Sequence, residues 1–361
     1  MWDLAVREEA FEEIDPMLAR FRGRPPLSLR LVPVLAQSDA AGARVLLEEG
    51  RSLESRQLQI AARYIACYLE NLALADSIAQ LDLAWRQRPA NRATAQLLLA
   101  GLAGAGGRWS LARERFETAQ TMEGAGQVLV PRSFVATVPM LPVPAKDLKV
   151  LRDEVERWNA NEPGDATGVA ASLQPHLRLY LMGLLSNRAG ELEAARSALS
   201  ALERLNAPQQ ASGVVQGLTA TLRADLALVQ QQPRDALAAL EGVKQEIPLE
   251  LLSLSRAAHL RPYGNEYARY LRAVALSALG RSTEALSWLR FGLRGAPQEY
   301  LYHAPMHIRL GEVFEQLQRP DSAAAHYGKF LELWSQADPE AGPLVEDIRA
   351  RVTRLGARPN P

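Results

Sequence analysis

Small and large apolar residues recur at fixed steps along most of this chain. The stretch LGEVFEQLQRPDSAAAHYGKFLELW, residues 310–334, shows the pattern clearly and predicts two short helices. When two antiparallel helices pack closely, small side chains on one must face bulky ones on the other, because ridges settle into grooves. Gly311 and Ala323 are the small positions predicted in this stretch.

The same order of small and large positions returns in other parts of the chain, which indicates a repeated unit. Each predicted unit has an alanine at the packing point of its second helix. The gap from the second of these alanines to the third is about twice as long as the others, so it has room for two units. The alanines are Ala75, Ala112, Ala195, Ala236, Ala285 and Ala323.

The long gap contains VLVPRSFVATVPMLPVPAKDLKVLRDEVERW. Its prolines, beginning with Pro131, predict that no continuous helix forms at first, and a helix is predicted after Pro144. The sequence leaves open whether this part is a hinge or an ordered insert. The predicted divisions are an N-terminal helical segment (1–26), N-terminal repeats (27–125), a proline-rich connector and helix (126–168), C-terminal repeats (169–335), and a capping helix with a tail (336–361).

These patterns predict an all-α fold, an α-solenoid of stacked antiparallel helix pairs with little or no strand. One unit contains His307, Leu310-Gly311, Phe314, Ala323 and Tyr327. It resembles the tetratricopeptide repeat pattern W-x2-L-G-x2-Y followed by A-x3-F, with histidine in place of the tryptophan. The resemblance implies a right-handed superhelix that binds partners on a concave face made mostly by the first helix of each unit.

A further resemblance lies in the C-terminal stretch YGKFLELWSQADPEAGPLVEDIRARVTRL. It is similar to the closing segment of tetratricopeptide regions that follow protein-kinase or winged-helix DNA-binding domains in large bacterial signalling proteins. We expect no such domain in this sequence, and in that respect the chain departs from those proteins. The resemblance therefore implies a freestanding sensor or scaffold, or the detached repeat half of a regulator.

Composition and charge limit the classes of partner and the compartment that we expect for this chain. The formal net charge is +0 and the isoelectric point about 7.0, so no basic field attracts nucleic acid, and we expect no nucleic-acid partner. The single cysteine, Cys67, fits a reducing compartment. The charged start MWDLAVREEAFEEID has no apolar signal core, and no apolar run reaches the roughly 18 residues of a membrane span. We expect a cytoplasmic protein that does not bind membranes.

Two motifs invite a chemical interpretation. GLAGAGGRWS, residues 101–110, is glycine-rich like a phosphate-binding loop, but it lacks the Gly-Lys-Ser/Thr ending, and Gly107 falls at a predicted turn between helices. His303 and His307 are four residues apart and so share a helix face, as a metal-binding pair does. No HExxH motif is present and His307 lies at an aromatic packing site, so the turn and packing interpretations are favoured.

Catalytic motifs are absent from the sequence. Neither HRD nor DFG of protein kinases occurs, and the GxSxG elbow of esterases is missing. Acidic runs such as Glu8-Glu9 belong to exposed helix faces, where charges are solvated. We therefore predict a protein that is not an enzyme and uses no cofactor and no metal.

The repeat register itself predicts a binding surface. Tyrosine and arginine are enriched where proteins bind one another, so such residues on the concave face are candidates for contact with a peptide or helix of a partner protein. Packing between neighbouring repeats is the alternative role for each of them. The repeated Lys/Asn clamp of chaperone-tail receptors is missing. The predicted face comprises Tyr64, Tyr68, Leu97, Leu98, Tyr180, Asn187, Arg188, Asp225, Tyr267, Tyr270, Arg309 and Glu312.

Two functions remain open at this stage. The first is a protein-interaction scaffold that binds a peptide or helix in a concave groove. The second is the ligand-sensing half of a bacterial signalling or transcription protein, with a small ligand bound between the N-terminal and C-terminal repeats.

Overall fold

The computed structural model describes residues 5–6, 8–52, 57–86, 88–122, 125–161, 168–243, 266–293 and 299–356. Within these ranges the chain forms 18 α-helices and no strand. The predicted all-α class is confirmed. Among the described residues, no helix has both the length and the apolar content to cross a membrane.

The helices vary from a little over one turn to about six turns. A π-helical turn, Ile65–Leu69, continues α4, and a short 3-10 helix, Glu299–Tyr302, precedes α16. The helices are α1 (Ile14–Leu18), α2 (Leu27–Ala36), α3 (Ala40–Ser52), α4 (Gln57–Tyr64), α5 (Leu72–Trp85), α6 (Pro89–Ala105), α7 (Trp109–Met122), α8 (Ala125–Ala136), α9 (Ala145–Arg157), α10 (Gly168–Arg188), α11 (Leu192–Arg204), α12 (Ser212–Val229), α13 (Pro233–Leu240), α14 (Glu266–Ala278), α15 (Ser282–Leu293), α16 (His303–Gln316), α17 (Pro320–Leu333) and α18 (Gly342–Arg354).

From α2 to α17 the helices pack as eight consecutive pairs, and α18 packs on the last pair. In most of the array the first helix of a pair also packs on the first helix of the next, as α10 does on α12 and α12 on α14. The first helices thus form an inner layer. This arrangement is the solenoid of stacked helix pairs that the repeated pattern predicts.

The small residues lie where the pattern places them. All six second-helix alanines, in α5, α7, α11, α13, α15 and α17, are 0% exposed. Gly311 in α16 faces the ring of Tyr327, which would collide with any side chain at that position, and Gly183 faces Leu222 in the same way. Small residues therefore allow the close approach of helices within a pair and between pairs.

The predicted connector contains helices from its start. The expectation that Pro131 prevents a helix is wrong, since α8 contains this residue. Proline removes one backbone hydrogen bond, but α8 buries Val128, Phe134 and Val135, and this apolar burial offsets the loss. Helices α8 and α9 form the fourth pair of the array. Residues 162–167, near the end of the predicted connector, lie outside the described residues.

The array curves until its C-terminal part contacts its N-terminal part. The 3-10 helix Glu299–Tyr302 packs on α6 and on the π-helical turn after α4, as well as on α14, α15 and α16. Residues after α17 bond to the turn between α6 and α7, as described below. The solenoid is therefore closed on itself, and its inner layer surrounds the residues of the 3-10 helix.

Candidate functional site

Asp225 is the centre of a buried polar network on the inner layer. Asn187 Nδ2 donates a hydrogen bond to its Oδ2 at 2.7 Å, and the Tyr267 hydroxyl donates to its Oδ1 at 2.5 Å. Burial raises the pKa of Asp225, while the two hydrogen bonds and the charge of Arg188 oppose that rise. We call the following residues the inner-face cluster: Tyr180, Asn187, Arg188, Asp225, Tyr267, Tyr270, Arg309 and Glu312.

Three consecutive first helices place these groups together. Asn187 lies in the last turn of α10, Asp225 lies in α12, and Tyr267 is in the first turn of α14. These helices pack side by side in the inner layer, so residues 38 and 42 positions apart come within hydrogen-bond distance. The repeat length of the solenoid thus sets the geometry of the network.

Tyrosine rings surround the network. Tyr302, from the 3-10 helix, stacks on Tyr267 with 6.0 Å between ring centroids, and Tyr267 stacks on Tyr270 at 6.3 Å. Burial raises the pKa of Tyr180, Tyr267 and Tyr302, so their hydroxyls stay protonated at neutral pH and are available as hydrogen-bond donors. The cluster is therefore a packed interior and not an empty groove.

One end of the inner-face cluster reaches solvent. Arg309 Nε donates to the Tyr270 hydroxyl at 3.2 Å, and Arg309 Nη1 donates to Glu312 at 2.6 Å. Arg351 from α18 approaches the same Glu312 carboxylate at 3.8 Å. The Arg309 and Glu312 side chains are 31% and 25% exposed, so these charged groups are accessible to solvent, while the Tyr270 hydroxyl holds Arg309 from the buried side.

The predicted concave face is largely buried. Of the two roles that the sequence leaves open for Tyr267 and Tyr270, contact with a partner or packing between repeats, their burial fits packing, because they are 8% and 3% exposed. Sequence reasoning assumed an open groove, whereas the closed array and the 3-10 helix fill it. Buried in the same way are Leu97, Leu98, Tyr180, Asn187 and Asp225.

Four predicted residues do not join the inner-face cluster. Tyr64 and Tyr68 form a half-buried aromatic pair at 5.3 Å on α4 and its π-helical turn. Leu97 and Leu98 belong to the apolar core on α6. The structure thus brings eight of the predicted positions into one network and leaves the tyrosine pair as a separate surface feature.

The glycine-rich stretch 101–110 forms part of the seam where the array closes. Gly107 has a left-handed backbone with φ of +74°, which confirms the predicted turn. Trp334 Nε1 donates to the carbonyl oxygen of Ala105 at 3.0 Å, and Asp338 Oδ2 accepts from the Ser110 backbone N–H at 2.8 Å. A carboxylate of the chain itself therefore occupies the start of α7, where a phosphate-binding loop would hold an anion.

A second seam contact joins Glu70 to α16. Glu70 follows the π-helical turn with φ of +49°, and its Oε2 lies 3.1 Å from His307 Nε2. His307 Nδ1 lies 2.9 Å from His326 Nδ1. Burial would raise the pKa of Glu70, but the hydrogen bond and charge of His307, with smaller effects from His303 and Lys329, lower it to about 2.

Sequence reasoning missed this contact because its partners are 237 positions apart and no local motif marks them. His307 was interpreted as an aromatic packing residue, and it is indeed buried, but it also hydrogen-bonds to Glu70. Within the described ranges, no group of three or more His, Cys, Asp or Glu side chains is arranged to hold a metal ion.

No protein-family model matches the chain, and no curated protein matches it.

Proposed function

We propose that the protein is a non-catalytic scaffold of the tetratricopeptide-like kind, and that it binds a peptide or helix of a partner protein at the half-exposed end of the inner-face cluster. The observation that carries the proposal is the placement of Arg309. Its guanidinium lies between the buried Tyr270 hydroxyl and the Glu312 carboxylate and is still partly exposed.

An arginine held in this way is suited to recognition. Its fixed orientation means that less side-chain entropy is lost when a partner carboxylate binds. Arginine is also enriched among residues that contribute most to binding energy. Arg351 adds a second cation beside Glu312 and itself pairs with Asp347, so an acceptor group of the partner would join two existing charge pairs. The pair Tyr64 and Tyr68 offers a separate aromatic contact.

The test is peptide selection on the folded full-length chain from a displayed library, followed by measurement of Kd for the selected peptides. Arg309→Ala is expected to raise Kd about tenfold or more, as for a residue that contributes 1–2 kcal/mol or more to binding. The matched control is Arg281→Ala, because Arg281 also pairs with a glutamate three positions on, Glu284. Peptides that bind wild type and both variants equally well would refute the assignment of this site.

A ligand-sensing regulator is the second candidate, and the closure of the array favours it. The N-terminal and C-terminal pairs meet through discrete polar contacts such as Glu70 with His307, and a small ligand bound between them would stabilise the closed form. This function predicts a melting temperature that rises with ligand concentration in a screen of small molecules. The scaffold function predicts a melting temperature that rises with the concentration of a selected peptide and not with that of a small molecule.

A further inference from the structure

Four charged side chains form a row of alternating sign beside the half-exposed end of the inner-face cluster. Arg309 and Glu312 lie on α16, and Asp347 and Arg351 lie on α18. Glu312 Oε2 accepts from Arg309 Nη1 at 2.6 Å, and Glu312 Oε1 lies 3.8 Å from Arg351 Nη1. Arg351 Nε donates in turn to Asp347 Oδ2 at 2.9 Å. Glu312 therefore lies between two arginines that come from different helices.

The two contacts of Glu312 differ in strength. Its contact with Arg309 is a short hydrogen bond, whereas the 3.8 Å to Arg351 is an ion pair without a hydrogen bond. One oxygen of the carboxylate already faces each arginine. A small rotation of the Glu312 side chain thus lengthens the bond to Arg309 and brings the other oxygen within hydrogen-bond distance of Arg351.

Arg309 has a donor left for a partner. Its Nε donates to the Tyr270 hydroxyl and its Nη1 to Glu312, while its Nη2 has no acceptor among the described residues. A partner carboxylate that accepts from Arg309 would bring its negative charge next to that of Glu312. Two carboxylates would then share one guanidinium, and their repulsion opposes binding unless Glu312 moves away.

Arg351 is placed to receive Glu312. Its Nη1 donates to the Tyr327 hydroxyl at 3.3 Å, and its guanidinium lies 5.9 Å from the centre of the Tyr327 ring, so α17 holds this cation in position. The present carboxylate partner of Arg351, Asp347, is 54% exposed, and an ion pair this exposed contributes little free energy. Since Asp347 accepts from Nε, that bond need not break when Glu312 approaches Nη1.

We propose that the binding site takes a carboxylate of the partner by an exchange of ion pairs: the partner carboxylate binds Arg309, and Glu312 turns from Arg309 to Arg351. This inference rests on the binding function proposed above and adds the chemical class of the partner group. The number of ion pairs rises by one, because Arg309 gains the partner carboxylate while Glu312 keeps a cation. Arg351 is a positioning residue, since it acts on the partner through Glu312.

The test is a double-mutant cycle on the full-length chain, with a selected acidic peptide as the probe. Glu312→Gln keeps an oxygen that accepts from Arg309 but removes the competing charge, so Kd is expected to fall about threefold to fivefold. Arg351→Ala is expected to raise Kd by a similar factor, because Glu312 then stays on Arg309. In the Glu312→Gln background, Arg351→Ala is expected to leave Kd nearly unchanged.

The probe is made in several forms that identify the group it contributes. One form carries an amide in place of its acidic side chain, and another has an amidated C-terminus. The form that lacks the recognised carboxylate is expected to bind more weakly and to lose the response to Glu312→Gln. Equal binding of all forms to wild type would overturn the assignment of a carboxylate.

Matched controls come from the same helix. Arg349 and Glu346 form an exposed pair on α18 at 2.6 Å, so Arg349→Ala and Glu346→Gln repeat the two charge changes away from Glu312. Neither control is expected to change Kd. Arg351→Lys keeps the cation and is expected to bind as wild type does.

Three outcomes would contradict the exchange or the site. If Arg351→Ala raised Kd equally in both backgrounds, Arg351 would contact the partner or only support α18, and the exchange would be refuted. An unchanged Kd in Glu312→Gln would overturn the exchange by itself, without any variant of α18. If Arg309→Ala bound every selected peptide as wild type does, the proposed binding site would be wrong, and the exchange with it.

Discussion

Removal of the Asp225 carboxylate is expected to lower the free energy of unfolding, because the buried groups that hydrogen-bond to it lose their acceptor. Asp225→Ala leaves two buried donors, Asn187 Nδ2 and the Tyr267 hydroxyl, without their acceptor. Each unsatisfied buried donor costs about 1–3 kcal/mol, so the free energy of unfolding should fall by about 2–6 kcal/mol.

Asp225→Asn is the matched comparison. An amide oxygen still accepts from Asn187, and the amide nitrogen donates to the Tyr267 hydroxyl, which turns to accept. No charge is then buried, so the variant is expected to stay within about 1 kcal/mol of wild type or to exceed it at neutral pH. The two substitutions at one position thus separate the effect of the hydrogen bonds from that of the charge.

The free energy that Asp225 contributes to stability depends on pH with a definite sign. Because burial raises the folded pKa of Asp225 above its ordinary 3.8, the folded state holds this proton more tightly than the unfolded chain. The stabilising contribution is complete below about pH 3.8 and is lost as the pH rises through the folded pKa. Wild type should therefore gain stability relative to Asp225→Asn as the pH falls from neutral.

Urea denaturation followed by far-ultraviolet circular dichroism at several pH values gives these free energies. Asp225→Ala with wild-type stability would show that the two donors have other partners. Equal destabilisation by alanine and asparagine at every pH would show that the carboxylate charge itself is required, and this outcome would contradict the prediction.

Three further substitutions test the packing. Ala323→Leu should overpack the last pair and cost about 1–3 kcal/mol in thermal denaturation, whereas Ala325→Leu, at an exposed position of the same helix, should be nearly neutral. Gly107→Ala should weaken the seam, because its backbone is left-handed and a Cβ would lie 2.8 Å from Trp334; unchanged hydrogen exchange around this turn would contradict that. Tyr270→Ala should destabilise the core by about 3–5 kcal/mol, and a stable, folded variant would disprove its packing role.

The helix pairs could be predicted from the sequence because the residues at their packing points are close together along the chain. An alanine such as Ala112 and the glycine turn before it are fixed by contacts within one pair or between adjacent pairs. The fourth pair was predicted only in part: the helix expected after Pro144 is α9, but α9 presents buried Leu148, Leu151 and Val155 where the other second helices have an alanine. A pattern built on alanine does not detect a pair whose contact point is a leucine.

Whether the inner face is open or filled could not be predicted from the sequence. Helical periodicity correctly placed Asn187, Asp225 and Tyr267 on one inner layer, but it does not report how far the array curves. Curvature is the sum of small rotations between successive pairs. The burial of Tyr267 and the role of Glu70 both follow from closure, so neither has a signal in the neighbouring residues.

The closed seam also changes how the chain is expected to unfold. In an open array each pair contacts only its neighbours, so the ends fray independently. Here the bond from Trp334 to Ala105 spans 229 positions, and that from His307 to Glu70 spans 237. Contacts of such long range form late and slow folding, since the intervening pairs must be in place. Once formed they couple the two ends, so we expect one cooperative unfolding transition in place of stepwise loss from the termini.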